Sequence, residues 1–372
     1  IGTNVLGYAN SNVDNAVIHA IKNSNMSTFN AAEEVYLAEK LLELHPWFDQ
    51  AKFARTGAEI NAIAVRIGRI ASGKSKIAIC GYHGWHDWYL AANLGNSGNL
   101  NDLLLPGLEV AGVPSELRGS VVPLRFNNFE DLKLLENSAD IGVLIMEVMR
   151  SEYPSAEYLE NVRQICDEKN ITLVFDECTS GFRETYGGLH IKFSVKPDMA
   201  TFGKALGNGF AITALIGNKK VMEHASKSFI SSTFWSERVG YVAALATLEE
   251  MANTKSWEVV TDLGKKMQKV WLKTFQEMEI PIKVTGIPAL SAFSLPFHSG
   301  NKLKTYITKR FLKEKILASN IFYPSIAHQA SDIIDYNELL KQILKDANNF
   351  RNRKNEFEID IEEAETGFNR LN

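Results

Sequence analysis

Cysteine is scarce in this chain: Cys80, Cys166 and Cys178 are the three among 372 residues, and no Cys-x-x-Cys pair occurs. Such usage supports neither a disulfide framework nor a zinc site, and it points to a reducing compartment, the cytoplasm. Long apolar runs are missing too. Stretches such as Ile141–Met146 fall far short of the roughly 20 residues that span a bilayer. There is no Lys/Arg run, and a net charge of −4 offers no basic face for nucleic acid. The turn Thr56-Gly57-Ala58 forms neither G-x-x-x-x-G-K-[ST] nor G-x-G-x-x-G, so it is neither a Walker A loop nor a dinucleotide fingerprint. His83 and His86 have i, i+3 spacing but no H-E-x-x-H acid, so no metal is expected. No methionine or secretory leader precedes Ile1, which suggests that residues were removed or that the natural start is not represented.

What is present is a globular composition, 45% hydrophobic and 23% charged, at a length that suits two domains. Apolar spacing predicts helices over 12–23 and 31–44. A strand at 51–54 then leads through Arg55-Thr56-Gly57-Ala58-Glu59 into a helix reaching Ile70. Further strands are read at 76–80, 120–124, 140–147, 173–177, 198–202 and 213–217, with helices at 156–169, around 219–225 and from Val239. This alternation predicts an α/β fold with a mainly parallel sheet and functional residues at the carboxyl ends of its strands. Residues 93–119 show no sustained periodicity and read as a lid. The expected organisation is an N-terminal remnant at 1–30, a large domain at 31–256, a smaller α+β domain at 257–345 and a polar tail at 346–372.

Two stretches organise the chemistry. Leu173-Val174-Phe175-Asp176-Glu177-Cys178 is an apolar strand that ends on a carboxylate, and Phe202-Gly203-Lys204-Ala205-Leu206-Gly207 sets a lysine in a short turn. An amine desolvated by apolar walls becomes a nucleophile suited to a Schiff base, and a buried acid suits the ring nitrogen of a pyridine cofactor. Asp176 and Glu177 face opposite sides of the strand, and Asp176 is the expected inward group. Thr56, Gly57 and Ala58 open a helix and read as an anion seat or as a plain cap. Tyr82 could lie on a flat ring, and His83 reads equally as a polar orienter or a satisfied core histidine.

The ordered set Thr-Gly-Ala-Glu (56–59), Tyr-His-Gly (82–84), Asp-Glu-Cys-Thr-Ser-Gly-Phe-Arg (176–183), Gly187-Gly188, Pro197-Asp198 and Phe-Gly-Lys-Ala-Leu-Gly-Asn-Gly (202–209) resembles class III aminotransferases. Among these it most resembles members similar to glutamate-1-semialdehyde 2,1-aminomutase. The likeness runs from Val5 to His328. It implies a fold-type I transferase that uses pyridoxal 5′-phosphate, with a Schiff base on Lys204, Asp176 on the pyridine nitrogen, and Tyr82 and Cys178 on the two ring faces. It also implies phosphate contacts from Thr56, Gly57 and Ala58, and a homodimer in which Thr233 reaches the neighbouring site. The loop 93–119 would be a gate of the mutase type.

Departures from the family pattern are Thr-Gly-Ala for Ser-Gly-Thr at 56–58, Glu147-Val148-Met149 for Glu-Pro-Val, and Phe234-Trp235-Ser236-Glu237-Arg238 for a Gly-Asn-Pro segment. An N-terminal arm that carries substrate contacts in the mutase is absent from this sequence. Arg150, Glu147 and His86 are substrate candidates, and Arg150 reads as well as a surface arginine. Three readings stay open: transfer from an amino acid to a keto acid, semialdehyde or keto sugar; intramolecular aminomutase chemistry; and a non-catalytic nucleotide- or cofactor-binding scaffold.

Overall fold

The computed structural model describes residues 1–365 apart from 97, 102, 104, 105, 150, 194 and 355. The chain divides into two compact units, Ile1–Lys255 and a second that begins at Ser256. The first contains α1 (Ser11–Lys22), α2 (Ala32–Leu44), β1 (Gln50–Ala54), α3 (Gly57–Ser72), β2 (Lys76–Cys80), α4 (Asp87–Leu90), β3 (Val121–Pro123) and α5 (Phe129–Glu136). It continues with β4 (Ile141–Glu147), α6 (Ala156–Lys169), β5 (Thr172–Glu177), β6 (Met199–Phe202), β7 (Thr213–Gly217), α7 (Lys219–Met222) and α8 (Arg238–Thr254).

Seven strands form one sheet in the order β1-β7-β6-β5-β4-β2-β3. β7 runs against both its neighbours, and the pairings from β6 through β3 are parallel. Every residue of β4, β5, β6 and β7 is buried. Such strands read as unbroken apolar runs because helices cover both sheet faces. Register places Glu147 beside Asp176, Asp176 beside Thr201, and Glu177 beside Phe202. The carboxyl ends of β4, β5 and β6 are thus level, and the turns after them share one edge of the sheet.

Helix α3 lies across this sheet because its buried face is a stripe of Ala58, Ile60, Ile63, Ala64 and Ile67. A capping box between Thr56 and Glu59 starts it, and Gly73 at φ +71° ends it. Residues 93–119 are packed rather than structureless where they are described. Leu100 and Leu103 are buried in the core, and Asn93 fastens the Leu100 amide and the Leu108 carbonyl, each at 2.9 Å. Asn93 is therefore a knot that folds the loop onto the unit.

The second unit sets α9 (Ser256–Glu277), α10 (Gly300–Lys313) and α11 (Ala330–Asn348) with the antiparallel sheet of β8 (Lys283–Thr285), β9 (Ser291–Ser294) and β10 (Ile321–Phe322), in the order β10-β9-β8. Its core includes Trp271, Phe275, Phe293, Phe311 and Tyr336, with Phe311 stacked on Tyr336 at 4.7 Å. α11 runs to Asn348, and Phe357 and Ile359 beyond it are buried in the same core. The described part of 346–372 therefore packs instead of trailing as a polar tail; two apolar residues among many charges gave no pattern to read. Among the described residues, no helix is long and apolar enough to cross a membrane.

Candidate active site

Asp176 ends β5 almost fully buried, with donors on both of its carboxylate oxygens. Oδ2 accepts from Asn61 Nδ2 at 2.7 Å and from His83 at 2.8 Å; Oδ1 accepts from the Cys178 amide at 3.0 Å, and Thr201 Oγ1, which donates to Asn61 Oδ1 at 2.9 Å, lies 3.3 Å from it. A carboxylate only accepts, so His83 Nδ1 carries the proton of that contact. Burial by itself pushes the Asp176 pKa up. The hydrogen bond and charge of His83, then the Cys178 amide, outweigh it and hold the carboxyl below the ordinary aspartate range. His83 is thus the orienter of Asp176, with its Nε2 buried and without a partner.

Glu177 points to the other face, as strand alternation requires. It accepts from His190 Nδ1 and from the His190 amide, both at 2.8 Å, and from Ser180 Oγ. His190 stacks at 5.6 Å on His45, whose Nδ1–H donates to the Leu41 carbonyl at 2.8 Å while Nε2 accepts from the Gly188 amide at 3.0 Å. Burial lowers His45 to about 4, and the ring is neutral. This second cluster holds the 177–188 turn from behind.

Lys204 follows β6 at the start of a single 3-10 turn, Lys204–Gly207, with φ of +37°. A lysine in that region is strained by about 1–3 kcal/mol and stays there only if its surroundings fix it. Asn208, itself left-handed at φ +44°, does much of the fixing. Its Oδ1 accepts from the Leu6 amide at 2.9 Å and its Nδ2 donates to the Gly7 carbonyl at 3.2 Å. The Nζ of Lys204 donates to Thr179 Oγ1 at 2.5 Å. Arg183, fully buried, donates from Nε to the Thr179 carbonyl at 2.6 Å and from its other end to the Gly2 carbonyl. Residues 2–7 therefore fasten both turns.

Cys178 sits between these elements. A Cβ added at Gly57 would lie 3.7 Å from its sulfur, and one added at Gly203 would lie 3.4 Å away. Burial first, and then the Asp176 carboxylate, push its thiol well above the usual value, with Lys204 acting against them. At the head of α3, Glu59 already occupies the amides of Arg55 (3.0 Å) and Thr56 (2.9 Å) and the Thr56 hydroxyl (3.2 Å). Gly57 and Ala58 carry first-turn amides with no intrahelical acceptor, and these are the donors left for an anion.

Tyr82 is half-buried after β2, and its amide donates to Glu147 Oε2 at 3.1 Å. Its ring meets Tyr89 edge-on at 5.8 Å. Gly81, just before Tyr82, has φ of +122°, and a Cβ there would lie 2.5 Å from Glu147 Oε2, so only glycine lets the carboxylate reach. His86 precedes α4 with its ring edge-on to exposed Trp85 at 5.0 Å. Thr233 is exposed in the turn Thr233–Ser236, whose Trp235 carbonyl accepts from Arg55 at 3.0 Å. Arg150 lies outside the described residues.

Sequence reasoning passed over Asn61, Thr179 and Thr201. Asn61 had a usable signal, since it is a polar residue inside the apolar stripe of α3. Thr201 interrupts the apolar strand Met199–Phe202 in the same way. Thr179 has no such signature.

The residues brought together fit pyridoxal phosphate: a buried aspartate kept anionic, a lysine two residues past the adjacent strand, glycines around Cys178, and free amides at a helix start. Sheet and site define a fold-type I pyridoxal-phosphate-dependent transferase. The fold matches an omega-transaminase from Sphaerobacter thermophilus, with a TM-score of 0.83 at 22% identity over 93% of this chain and 85% of that one. The family model for aminotransferase class-III matches residues 1–322, and the chain belongs to that family. It is similar to a 3-aminobutyryl-CoA aminotransferase of Cloacimonas acidaminovorans, 32% identical over 88% of this chain and 77% of that protein. A glutamate-1-semialdehyde 2,1-aminomutase of Methanocaldococcus jannaschii is 29% identical over 87% and 78%. The protein is a pyridoxal-phosphate-dependent enzyme of amino transfer.

Proposed function

We propose that this enzyme moves an amino group from an amino-acid donor to a carbonyl acceptor, a keto acid, semialdehyde or keto sugar, with Lys204 as the reacting amine. The observation that carries this reading is the Asp176 and Lys204 pair on adjacent strand ends, with Asp176 held anionic by His83 at 2.8 Å. Pyridoxal phosphate, when bound, supplies an electron sink at the donor's reacting carbon. Asp176 keeps the ring nitrogen protonated, which deepens that sink. Lys204 would hold the cofactor by its amine and carry the transferred proton on Nζ. Gly57 and Ala58 would hold the phosphate by backbone amides, and Thr56, tied to Glu59, fixes the turn that presents them. Tyr82 and Cys178 would pack against the bound cofactor, and Glu147 serves Tyr82 by clasping its amide.

The working form is a homodimer in which Thr233 completes the neighbouring phosphate site. Its exposure supports this, as does the exposure of Tyr8, Phe29, Phe229 and Phe234, large apolar side chains that suit a protein contact. Three free, buried cysteines suit the cytoplasm.

The purified protein should be yellow, and borohydride should fix the cofactor to Lys204. Lys204→Ala should lose that fixation; colour fixed elsewhere, or none in the wild type with added cofactor, refutes the reading. Mixing Lys204→Ala with Thr233→Ala subunits should restore activity if sites are shared. The similarity to an aminomutase gives a second reading, intramolecular transfer. Protein loaded with pyridoxamine phosphate and given one substrate separates the two: a mutase turns over, and a transaminase stops after half a reaction.

A further inference from the structure

The geometry points to Thr179 as a catalytic residue whose hydroxyl holds the Lys204 amine in both of its protonation states. This rests on the assignment of Lys204 as the reacting amine. Thr179 Oγ1 lies 2.5 Å from Lys204 Nζ.

A hydroxyl is suited to this task because it works in both directions. It accepts from an ammonium and donates to the lone pair of a neutral amine. Lys204 must pass through both states. When the donor's carbon–hydrogen bond breaks, its electron pair stays with carbon and the proton forms a new N–H bond on Nζ. When that proton is delivered to carbon again, the amine is neutral. Thr179 turns its O–H away in the first state and toward Nζ in the second. A methyl-bearing side chain without oxygen could do neither.

Both ends of the contact are fixed by their backbones. Thr179 stands in the turn after β5, where the Gly181 amide donates to the Glu177 carbonyl at 2.9 Å and Arg183 Nε holds the Thr179 carbonyl at 2.6 Å. Ser180, the next residue, is tied to Glu177. Lys204 is held at φ +37° by its 3-10 turn, in which the Leu206 amide donates to the Gly203 carbonyl at 2.9 Å. A short contact between two pinned turns is a preorganised one. Thr179 lies partly exposed at the carboxyl end of the sheet, where the reacting carbon has access.

The test uses Thr179→Val, which keeps the shape and loses the oxygen, and Thr179→Ser, which keeps the oxygen. In the cofactor-free full chain, acetic anhydride labelling of Lys204 is read by peptide mass spectrometry relative to exposed Lys255. In the holoenzyme, one half-reaction is followed by absorbance with α-protio and α-deuterio donor. Valine should raise Lys204 labelling severalfold, slow the half-reaction by about 10- to 100-fold, and enlarge the deuterium effect, as loss of a hydrogen bond to a charged group predicts. Serine should restore all three.

Wild-type labelling and isotope effect in Thr179→Val would overturn the proposal, and so would equal loss in the serine variant, which would make shape the cause. Thr179→Ala reads the same quantities if the valine variant does not fold. Lys204→Ala keeps the failures apart: retained cofactor fixation there removes the lysine assignment, whereas the labelling arm still reports the contact with Thr179.

Discussion

His83→Leu is the sharpest probe of how the acid is kept charged. The substitution removes one donor from a buried carboxylate and introduces no new one. Asp176 Oδ2 keeps Asn61 at 2.7 Å and loses the contact at 2.8 Å. A hydrogen bond to a charged group contributes about 1.5–3 kcal/mol, and at roughly 2–4 °C per kcal/mol for a unit of this size the Tm should fall by about 3–12 °C. The sign with pH follows from the same balance. The Asp176 pKa is depressed, so its stabilisation is full above the unfolded value and is lost as pH falls through the folded value. Without His83, burial wins and the pKa rises, so the carboxyl takes up a proton at higher pH than before. The acid limb of kcat/KM should therefore move upward, with kcat reduced at neutral pH. Scanning calorimetry and the pH–rate profile measure the two effects. An unmoved acid limb together with a Tm within about 1 °C of wild type would refute the reasoning, because both consequences come from one lost donor.

Gly81→Ala places a Cβ 2.5 Å from Glu147 Oε2 at a backbone φ of +122°, so it should destabilise the unit by about 2–4 kcal/mol in urea and weaken cofactor retention by displacing Tyr82. Glu177 is likewise depressed, because the His190 hydrogen bond and charge outweigh burial. Glu177→Gln should therefore lose stability at neutral pH, and the gap from wild type should close as pH falls through the depressed value; melting curves from pH 7 downward test this. Burial raises Cys166 to about 12 and holds Cys178 well above its ordinary value. Iodoacetamide at pH 8 should leave both unmodified until urea opens the chain, as mass spectrometry would read.

The large sheet was legible because strands buried on both faces leave unbroken apolar runs, as at Ile141–Met146 and Leu173–Phe175. Motifs at the ends of those runs then fell on one edge, and Asp176, Lys204, Thr56 and Tyr82 could be named from the chain alone. Less legible were features that depend on one polar side chain meeting a distant backbone. Asn93 folds the 93–119 segment by two hydrogen bonds, and its leucines lack a helical or strand period. Helix α5 is short and begins with a single cap, Asn128. Asn61 reaches Asp176 across 115 residues, and only its position within an apolar stripe betrays it. Strand alternation makes Glu177 the outward neighbour of Asp176, yet it is buried too, because the opposite face has its own polar cluster.

The bond from the Leu6 amide to Asn208 joins residues 202 apart in sequence. Closing so long a loop costs roughly 5 kcal/mol in chain entropy before any neighbouring contact repays it. During synthesis the opening residues emerge long before the turn they secure, and they must wait for most of the first unit to be made. Lys204 cannot settle into its left-handed turn until that early segment docks. Acquisition of the cofactor is therefore set to come late in folding, after Leu6 has met Asn208, which makes the bound cofactor a report that this long-range contact has formed.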